Sequence, residues 1–445
     1  MNSAKEIFAG LSPNARKILS SVTWLLSERL LRMAISFLMT AWIARYLGAD
    51  YFGALNYAMA FCSIFTVLAQ LGLNQIVVRD LVLEPERKSE ILGTAFAMKL
   101  LAGGLAMVLS LGCMYALRPG DTTSLALVGM LSASLLAQEF YVIEFWFQSQ
   151  VHTRQAVWSR NTGFMAMTLV RLWLIARGAG LLAFALSYTL ETVIVAMALV
   201  GFYRRDGEAI RRWRLSLGRA KRLLKVSWPL VLSSLAILIY LRIDQVMLGQ
   251  LANNAAVGHY SVAVRLSEAL PFMAALSVKS FAPAIIESKK RSLQAYRHKL
   301  QIACSFLTLV AYAVALPLSV LSGWVVTTLF GAEYASAGPV LAVHIWSSVF
   351  VFMGYVKQIW ITNEELTGFA FFAGCLGAVF NVGLNWWLIP IYGGLGAAIA
   401  TIISYAFADY VSCFIYPPAR QFGQIMTSAF LLKGVGESLQ VVTRR

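Results

Sequence analysis

Apolar positions in this chain neither alternate nor come in short clusters; they run on for twenty or more residues, parted by brief polar connections. A helix rises 1.5 Å per residue, so about twenty apolar residues cross the roughly 30 Å hydrocarbon core of a bilayer. Twelve stretches reach that length, at about 22–44, 52–73, 90–117, 122–147, 155–176, 180–203, 227–249, 259–285, 300–322, 337–361, 367–390 and 393–416. The pattern therefore predicts an all-α polytopic membrane protein of about twelve transmembrane helices.

The informative positions are those that break the apolar runs. The first run carries Glu28, Arg29 and Arg32. At 100° per residue Arg29, Arg32, Ser36 and Thr40 share one face, with Leu30, Leu31, Phe37, Leu38 and Ile43 around the rest. Nine basic residues fall within spans: Arg29, Arg32, Lys99, Arg160, Arg171, Arg242, Arg265, Lys279 and Lys357. If all faced lipid, insertion would cost on the order of 20–30 kcal/mol, so they must look into protein, a wet cavity or an interface. Arg160 and Arg171 lie eleven residues apart on one face, roughly 16 Å along the helix. Arg265, Glu268 and Lys279 fall within about 60° on the eighth span, which Pro271 is expected to kink. On the seventh, Arg242 and Asp244 diverge by about 200°. Asp244 shares a face with Ser233 and is taken as the cavity residue.

Seven acids also lie in spans: Glu28, Glu139, Glu144, Glu191, Asp244, Glu268 and Asp409. Several are expected to neutralise basic neighbours, with Glu28 and Glu268 as candidates for charge pairing or ion coupling. The net sign stays positive. Because the fixed guanidinium fork suits phosphate oxygens, a cationic cavity points to a phosphate-bearing anion.

Composition agrees. Of 445 residues 59% are hydrophobic and 13% charged, with a mean hydropathy of +0.69, which excludes a soluble globule. The net charge of +16 would suggest nucleic acid in a soluble protein, but it sits in short connections. One side holds Arg79, Arg87, Lys88, Arg154, nine Lys and Arg between 204 and 225, and Lys289 to Lys299; the other holds Arg45, Arg118 and Arg177. By the positive-inside rule both termini are expected in the cytoplasm, and nucleic acid is not a partner. The first 21 residues lack the order of a cleavable signal, so the first helix is read as its own targeting signal. Five cysteines show no CxxC spacing, four histidines are scattered, and no phosphate-binding GxxxxGK[ST] loop, HExxH or GxSxG is present. Neither a metal, a cofactor nor an enzymatic reaction is expected.

The long basic connection divides the chain into an N-terminal bundle (1–215), a C-terminal bundle (216–416) and a cytoplasmic tail (417–445). In the tail Phe422, Ile425, Met426, Ala429 and Phe430 form the apolar face of an interfacial helix. The halves echo each other. Leu47-Gly48 precedes Phe52-Gly53-Ala54-Leu55-Asn56-Tyr57-Ala58, and Leu248-Gly249 precedes Val257-Gly258-His259-Tyr260-Ser261-Val262-Ala263. Such repeats place a substrate site at their interface.

Several segments carry a likeness: ERLLR…ARYLGADYFGALNYAMAF, LAQLGLNQIVVRDLV, IDQVMLGQ, VGHYSVAVRLSEAL, GPVLAVHIW and NVGLNWWLIPIYGGLGAAIATIISY. Together, from about residue 24 to 416, the chain resembles the Wzx-type O-antigen and polysaccharide flippases of the multidrug/oligosaccharidyl-lipid/polysaccharide exporter superfamily. The resemblance implies two pseudo-symmetric six-helix bundles around a central cationic cavity with alternating access. It also implies transport of undecaprenyl-diphosphate-linked oligosaccharide from the cytoplasmic to the periplasmic leaflet of the bacterial inner membrane. Arg29, Arg32, Asp244 and Arg265 match positions similar to cavity charges of the lipid II flippase. The substrate site expected from stripes and resemblance together comprises Arg29, Arg32, Arg160, Arg171, Asp244, Arg265 and Lys279. Partners would be the lipid-linked glycan and membrane lipids, with a polysaccharide polymerase and a chain-length regulator as candidate protein partners. The rivals are a cation or drug antiporter, which needs a cavity dominated by acids, and a membrane glycosyltransferase or polymerase, which needs a catalytic constellation.

Overall fold

The computed structural model describes residues 13–433, with side chains from Glu28 onward except Thr153. The signal reading at the N-terminus and the last part of the tail lie outside the described residues. Every long element among them is helical. Helices α1 (13–47) and α2 (49–70) form one rod bent at Gly48. The short α3 (Asn74–Leu83) leads to α4 (Lys88–Leu117), α5 (Thr122–Ser149), α6 (Thr153–Ala176) and α7 (Leu181–Arg205). The second half comprises α8 (Leu217–Leu251), α9 (Asn254–Arg291), α10 (Leu293–Phe330), α11 (Ala337–Asn363), α12 (Thr367–Tyr392) and α13 (Gly394–Ile415), then the short α14 (Arg420–Phe430). Among the described residues ten helical stretches are long and apolar enough to cross a membrane. Dividing the first at Gly48 and adding the more polar α6 gives the twelve expected spans.

Local chemistry explains the boundaries. Gly48 sits at φ 72°, ψ 171°, a left-handed conformation that glycine adopts without a Cβ penalty. Side chains cap the orphan N–H groups at four of the described helix starts: Asp121 accepts from Ser124 N at 2.9 Å, Ser216 from Arg219 N at 3.4 Å, Asn253 from Ala256 N at 2.8 Å and Ser292 from Ala295 N at 3.1 Å. The helices overrun the apolar segments at the end rich in basic loops. Residues 217–226, expected as connection, form the opening turns of α8, and α9 carries Lys289, Lys290 and Arg291 in its last turn, where they complement the helix dipole.

The halves form two lobes that share a core at one end only. At the end poor in basic loops, Ala44, Leu55, Tyr57 and Phe184 pack in a single cluster with Leu248, Tyr260, Phe330 and Tyr334. At the basic end the cores are separate. Leu73, Val77, Ile91, Phe147, Tyr203 and Leu223 belong to the first lobe's side, while Cys304, Leu307, Phe352, Phe369 and Phe422 belong to the second. This is a V closed at its basic-poor end. Residues such as Leu101, Val108, Val320, Trp324 and Trp386 remain exposed on the outside, as a lipid-facing surface requires.

Two short helices differ from expectation. The pattern places α3 within a connection, because its ten residues are too few for a spanning signal; it buries Ile76, Val77 and Leu81 beneath the first lobe. α14 has the expected apolar face, but Phe422, Met426 and Ala429 are buried against protein, with Phe422 stacked 5.0 Å from Trp360. The face meant for the bilayer surface is covered by the second lobe.

Candidate functional site

The opening of the V holds a set of adjoining spaces built from the charged stripes. Its largest chamber, about 530 Å³, lies in the first lobe and is lined by Arg32 and Ser36 of α1, Ser63 of α2, Gln138 of α5, Arg160 and Arg171 of α6 and Glu191 of α7. A groove of about 180 Å³ between the lobes shares Met59 and Ser63 with that chamber and adds Arg242 of α8 with Arg265 and Glu268 of α9. A side recess of about 160 Å³ shares Gln138, Tyr141 and Arg160 and reaches Lys99, Glu139 and Glu144.

Each guanidinium has a distinct environment. Arg265 Nη2 donates to Ser36 Oγ at 3.0 Å and Thr40 Oγ1 at 3.4 Å, so the α1 stripe meets the α9 arginine across the lobes. Arg32 lies over the Phe164 ring at 5.1 Å and Arg29 over Phe272 at 5.1 Å, both cation–π contacts. Neither has a carboxylate partner among the described residues. Arg242 Nη1 sits 3.3 Å from Glu268 Oε1. Arg160 forks onto Glu144, with Nε to Oε1 at 2.8 Å and Nη2 to Oε2. Arg171 is buried; it donates from Nε to Ser187 Oγ at 3.0 Å and from Nη2 to Glu191 Oε2 at 2.7 Å, and covers Tyr188 at 3.9 Å. Lys99 is paired inside the first lobe with Glu139 at 2.9 Å.

Asp244 corrects the sequence reading. It does not face the cavity; Arg242 does. Its carboxylate lies buried in the second lobe, accepting Tyr260 OH at 2.7 Å, Thr401 Oγ1 at 2.6 Å and Asn385 Nδ2 at 2.6 Å. No basic side chain pairs with it among the described residues, and Asn385 Oδ1 has no hydrogen-bond partner. This oxygen-rich cluster has the chemistry to hold a proton or a small monovalent cation; no group of three His, Cys, Asp or Glu suited to a metal occurs among the described residues. Lys279 is exposed on α9 and lines none of the three spaces. Glu28 is half-buried near the start of the described side chains, without an ion pair among them.

The closed end of the V is held by bonds that cross the lobes. Arg118 donates to the Gly249 carbonyl and to Asn254 Oδ1 at 3.2 Å while lying 4.1 Å from the centre of Tyr57. Gln250 Nε2 donates to Tyr57 OH at 2.6 Å, Tyr334 OH to the Ala44 carbonyl at 2.9 Å, and Ala49 N to Glu333 Oε1 at 2.6 Å. Burial lifts the neighbouring Asp121 carboxyl, but bonds from Ser124 and the Arg118 guanidinium outweigh it and hold the group below its ordinary value.

At the basic end, the start of α8 is tied to the first lobe. Arg219 donates to Glu84 Oε2 at 2.7 Å and to Glu90 Oε1 at 3.0 Å, and Arg222 reaches Asp80 Oδ2 at 2.9 Å. The Arg219 hydrogen bond, aided by the charges of Arg219, Arg222 and Arg87, holds the Glu84 carboxyl below its ordinary value despite the opposing effect of burial.

A family model described as polysaccharide biosynthesis protein matches residues 18–289. The probable low-salt glycan biosynthesis flippase Agl15 of Haloferax volcanii is 24% identical over 424 residues, covering 90% of this chain and 85% of the relative. The probable flippase AglR of the same organism is 28% identical over 261 residues, 57% of this chain; the match spans about half, 53%, of that relative. Among solved structures the lipid II flippase MurJ in an inward closed conformation superposes with a TM-score of 0.74 at 14% identity, covering 93% of this chain and 91% of its own, a likeness of fold.

Proposed function

We propose that this chain, which belongs to the polysaccharide biosynthesis protein family, is a flippase for a lipid-linked glycan. Its substrate is a polyprenyl-diphosphate-linked oligosaccharide, undecaprenyl in a bacterium, moved from the cytoplasmic to the periplasmic leaflet of the inner membrane. The observation that carries this reading is the adjacency of a groove lined by Arg242 and Arg265, where Glu268 is the one lining acid, and a chamber lined by Arg32, Arg160 and Arg171, where Glu191 is the one lining acid. A diphosphate and its sugars cannot enter hydrocarbon without losing hydration. Guanidiniums with free donors replace that hydration, while the polyprenyl chain stays in lipid at the open side of the V. Rocking of the lobes about the cavity then exposes the head group to the other leaflet. The basic end faces the cytoplasm, so the arrangement described is open toward the side where the substrate is made.

The names of Agl15 and AglR support a flippase. The positive sign of the groove disfavours a cation antiporter, and the cavity chemistry serves binding and not bond cleavage. Deletion of the chain followed by lipid analysis tests the proposal. The lipid-linked oligosaccharide should accumulate facing the cytosol; accumulation of unassembled precursor sugars would sink it. Reconstituted protein should flip the same lipid, and charge reversal at Arg32 and Arg265 should abolish that flipping.

A further inference from the structure

We infer that the side recess of the first lobe is a carbohydrate subsite, which takes one uncharged, hydroxyl-bearing sugar ring of the glycan and holds it through side-chain amides. This rests on the flippase reading above and names the part of the substrate that the recess takes.

The recess is about 160 Å³, below the roughly 300–1,000 Å³ of a pocket for a whole ligand, so it suits a single ring and not a run of sugars. It adjoins the chamber through Gln138, Tyr141 and Arg160 and shares no lining residue with the groove. A glycan lying in the chamber can therefore place a ring there. The charges of the recess are already matched. Lys99 Nζ sits 2.9 Å from Glu139 Oε2, and Arg160 donates from Nε to Glu144 Oε1 at 2.8 Å and from Nη2 to Oε2. Lys99, Glu139 and Glu144 are buried. Two cations against two carboxylates leave nothing for an ionised group or a free cation to neutralise, and such a group would lose its hydration without compensation.

What remains unmatched is amide. Gln70, Asn74 and Gln148 line the recess, and none of their carboxamides is hydrogen-bonded among the described residues. Gln138 has a single long bond, from Nε2 to Ser134 Oγ at 3.4 Å. A carboxamide offers two donors and an acceptor oxygen, and a sugar hydroxyl both donates and accepts, so these groups can grip several hydroxyls of one ring without adding charge. Tyr141 and Phe145 give the same wall an aromatic surface for the apolar face of the ring. The backbone is bent to assemble it. Between α2 and α3, Leu71 at φ 53° and Gly72 at φ 61° are two left-handed residues in succession, and a bulky leucine held there is strained. That reversal brings Gln70, the last residue of α2, and Asn74, the first of α3, to one space. A lipid chain in the recess would strand these amides, which is costly; a ring of hydroxyls satisfies them.

The test is equilibrium binding to full-length protein in nanodiscs with three probes: a short polyprenyl diphosphate without sugar, the same lipid bearing a neutral hexose trisaccharide, and that glycolipid with its sugar hydroxyls methylated. The trisaccharide lipid should bind at least tenfold more tightly than the bare diphosphate, and the methylated form no more than threefold more tightly. Gln70→Ala with Asn74→Ala should remove most of the gain from the trisaccharide while shifting the bare probe less than threefold. Gln148→Ala, on α5, should remove part of that gain in the same selective way. All three side chains are exposed, so melting temperatures should hold, and Gln148→Ala alone decides the matter if the double variant does not fold. No gain from the trisaccharide, an equal gain from its methylated form, or a gain that survives these changes would each overturn the subsite, the last by showing a recess that holds only water. Failure of the bare diphosphate to bind, or its indifference to Arg32→Ala and Arg265→Ala, would instead overturn the flippase reading, and the subsite with it.

Discussion

Gly53 and Gly258, at matching positions of the two halves, each rest on the backbone just ahead of the other. A Cβ on Gly53 would lie 1.7 Å from the Asn254 carbonyl oxygen, and one on Gly258 2.1 Å from that of Ala49. The repeat seen in the sequence is thus a reciprocal contact in space, where the starts of α2 and α9 cross at the closed end of the V. Backbone faces backbone, so no flexible side chain can yield to an added methyl.

The first prediction follows. Gly53→Ala or Gly258→Ala should force the lobes apart at this end and admit water to the groove. A cysteine introduced at Ser261, which is buried and lines the groove, should be protected from a membrane-impermeant thiol reagent added at the basic-poor side in the parent. It should react in either glycine variant, and flipping should fall at least tenfold. Continued protection of that cysteine would show that the crossing does not seal the cavity.

The second concerns the cations without carboxylates. A hydrogen bond to a charged group contributes about 1.5–3 kcal/mol, so Arg265→Ala or Arg32→Ala should slow flipping on the order of tenfold to a hundredfold with little loss of thermal stability. Arg265→Lys should recover part of the rate, since lysine keeps the charge but not the fork. Arg171→Ala should behave differently, lowering the melting temperature because it strands the carboxylate of Glu191. Proteoliposome flipping assays paired with melting curves separate the two classes.

Why the sequence distinguished these classes poorly is a matter of which partners lie on which helix. The α1 stripe of Arg29, Arg32, Ser36 and Thr40 was legible because its period and its partner's need are local, and Arg265 indeed meets Ser36 and Thr40. The twelve spans were legible because insertion demands uninterrupted apolar length. The neutralising partners were not: Glu144 lies 16 residues before Arg160 and Glu191 lies 20 after Arg171, on neighbouring helices, and only packing chooses them among seven acids. Helical phase separated Arg242 from Asp244 but could not say which face meets the cavity. Tyr260, Asn385 and Thr401, from three other helices, supply the hydrogen bonds that draw Asp244 inward.

A third prediction tests a buried pair outside the groove. Lys99 and Glu139 are both nearly inaccessible and 2.9 Å apart. Removing one partner of such a pair costs about 3–5 kcal/mol because the other charge is left alone, whereas replacing both is far milder. Lys99→Met should sharply destabilise the protein in detergent melts, and Lys99→Met with Glu139→Gln should recover most of that loss. A double variant as unstable as the single one would show that packing, and not charge, is at stake.

A fourth uses pH. The Glu84 carboxyl, held below its ordinary value chiefly by Arg219, contributes stability that is present above the unfolded value of 4.5 and is lost as pH falls through the lowered folded value. Glu84→Gln should therefore melt slightly below the parent at pH 7, and the difference should close as pH drops below the ordinary glutamate range. High salt should shrink it at every pH, since the contact is partly exposed and screened. A gap that widens on acidification would contradict the sign.

The last prediction joins the cavity's charge to the energy source. Moving two negative charges out of a compartment that is negative inside is downhill by roughly 4–5 kcal/mol per 100 mV. The arginines proposed to grip the diphosphate belong to helices that stay in the membrane, so under that proposal the substrate's charge is what crosses. Proteoliposomes with protein oriented basic end inward should flip a polyprenyl-diphosphate disaccharide outward faster when a potassium gradient with valinomycin makes the lumen negative, and more slowly when the potential is reversed. Asp244→Asn separates this driving force from an ion-coupled one: if the potential alone drives transport, the variant keeps its voltage response even where its basal rate falls. Loss of the response in that variant would place the coupling at the buried carboxylate.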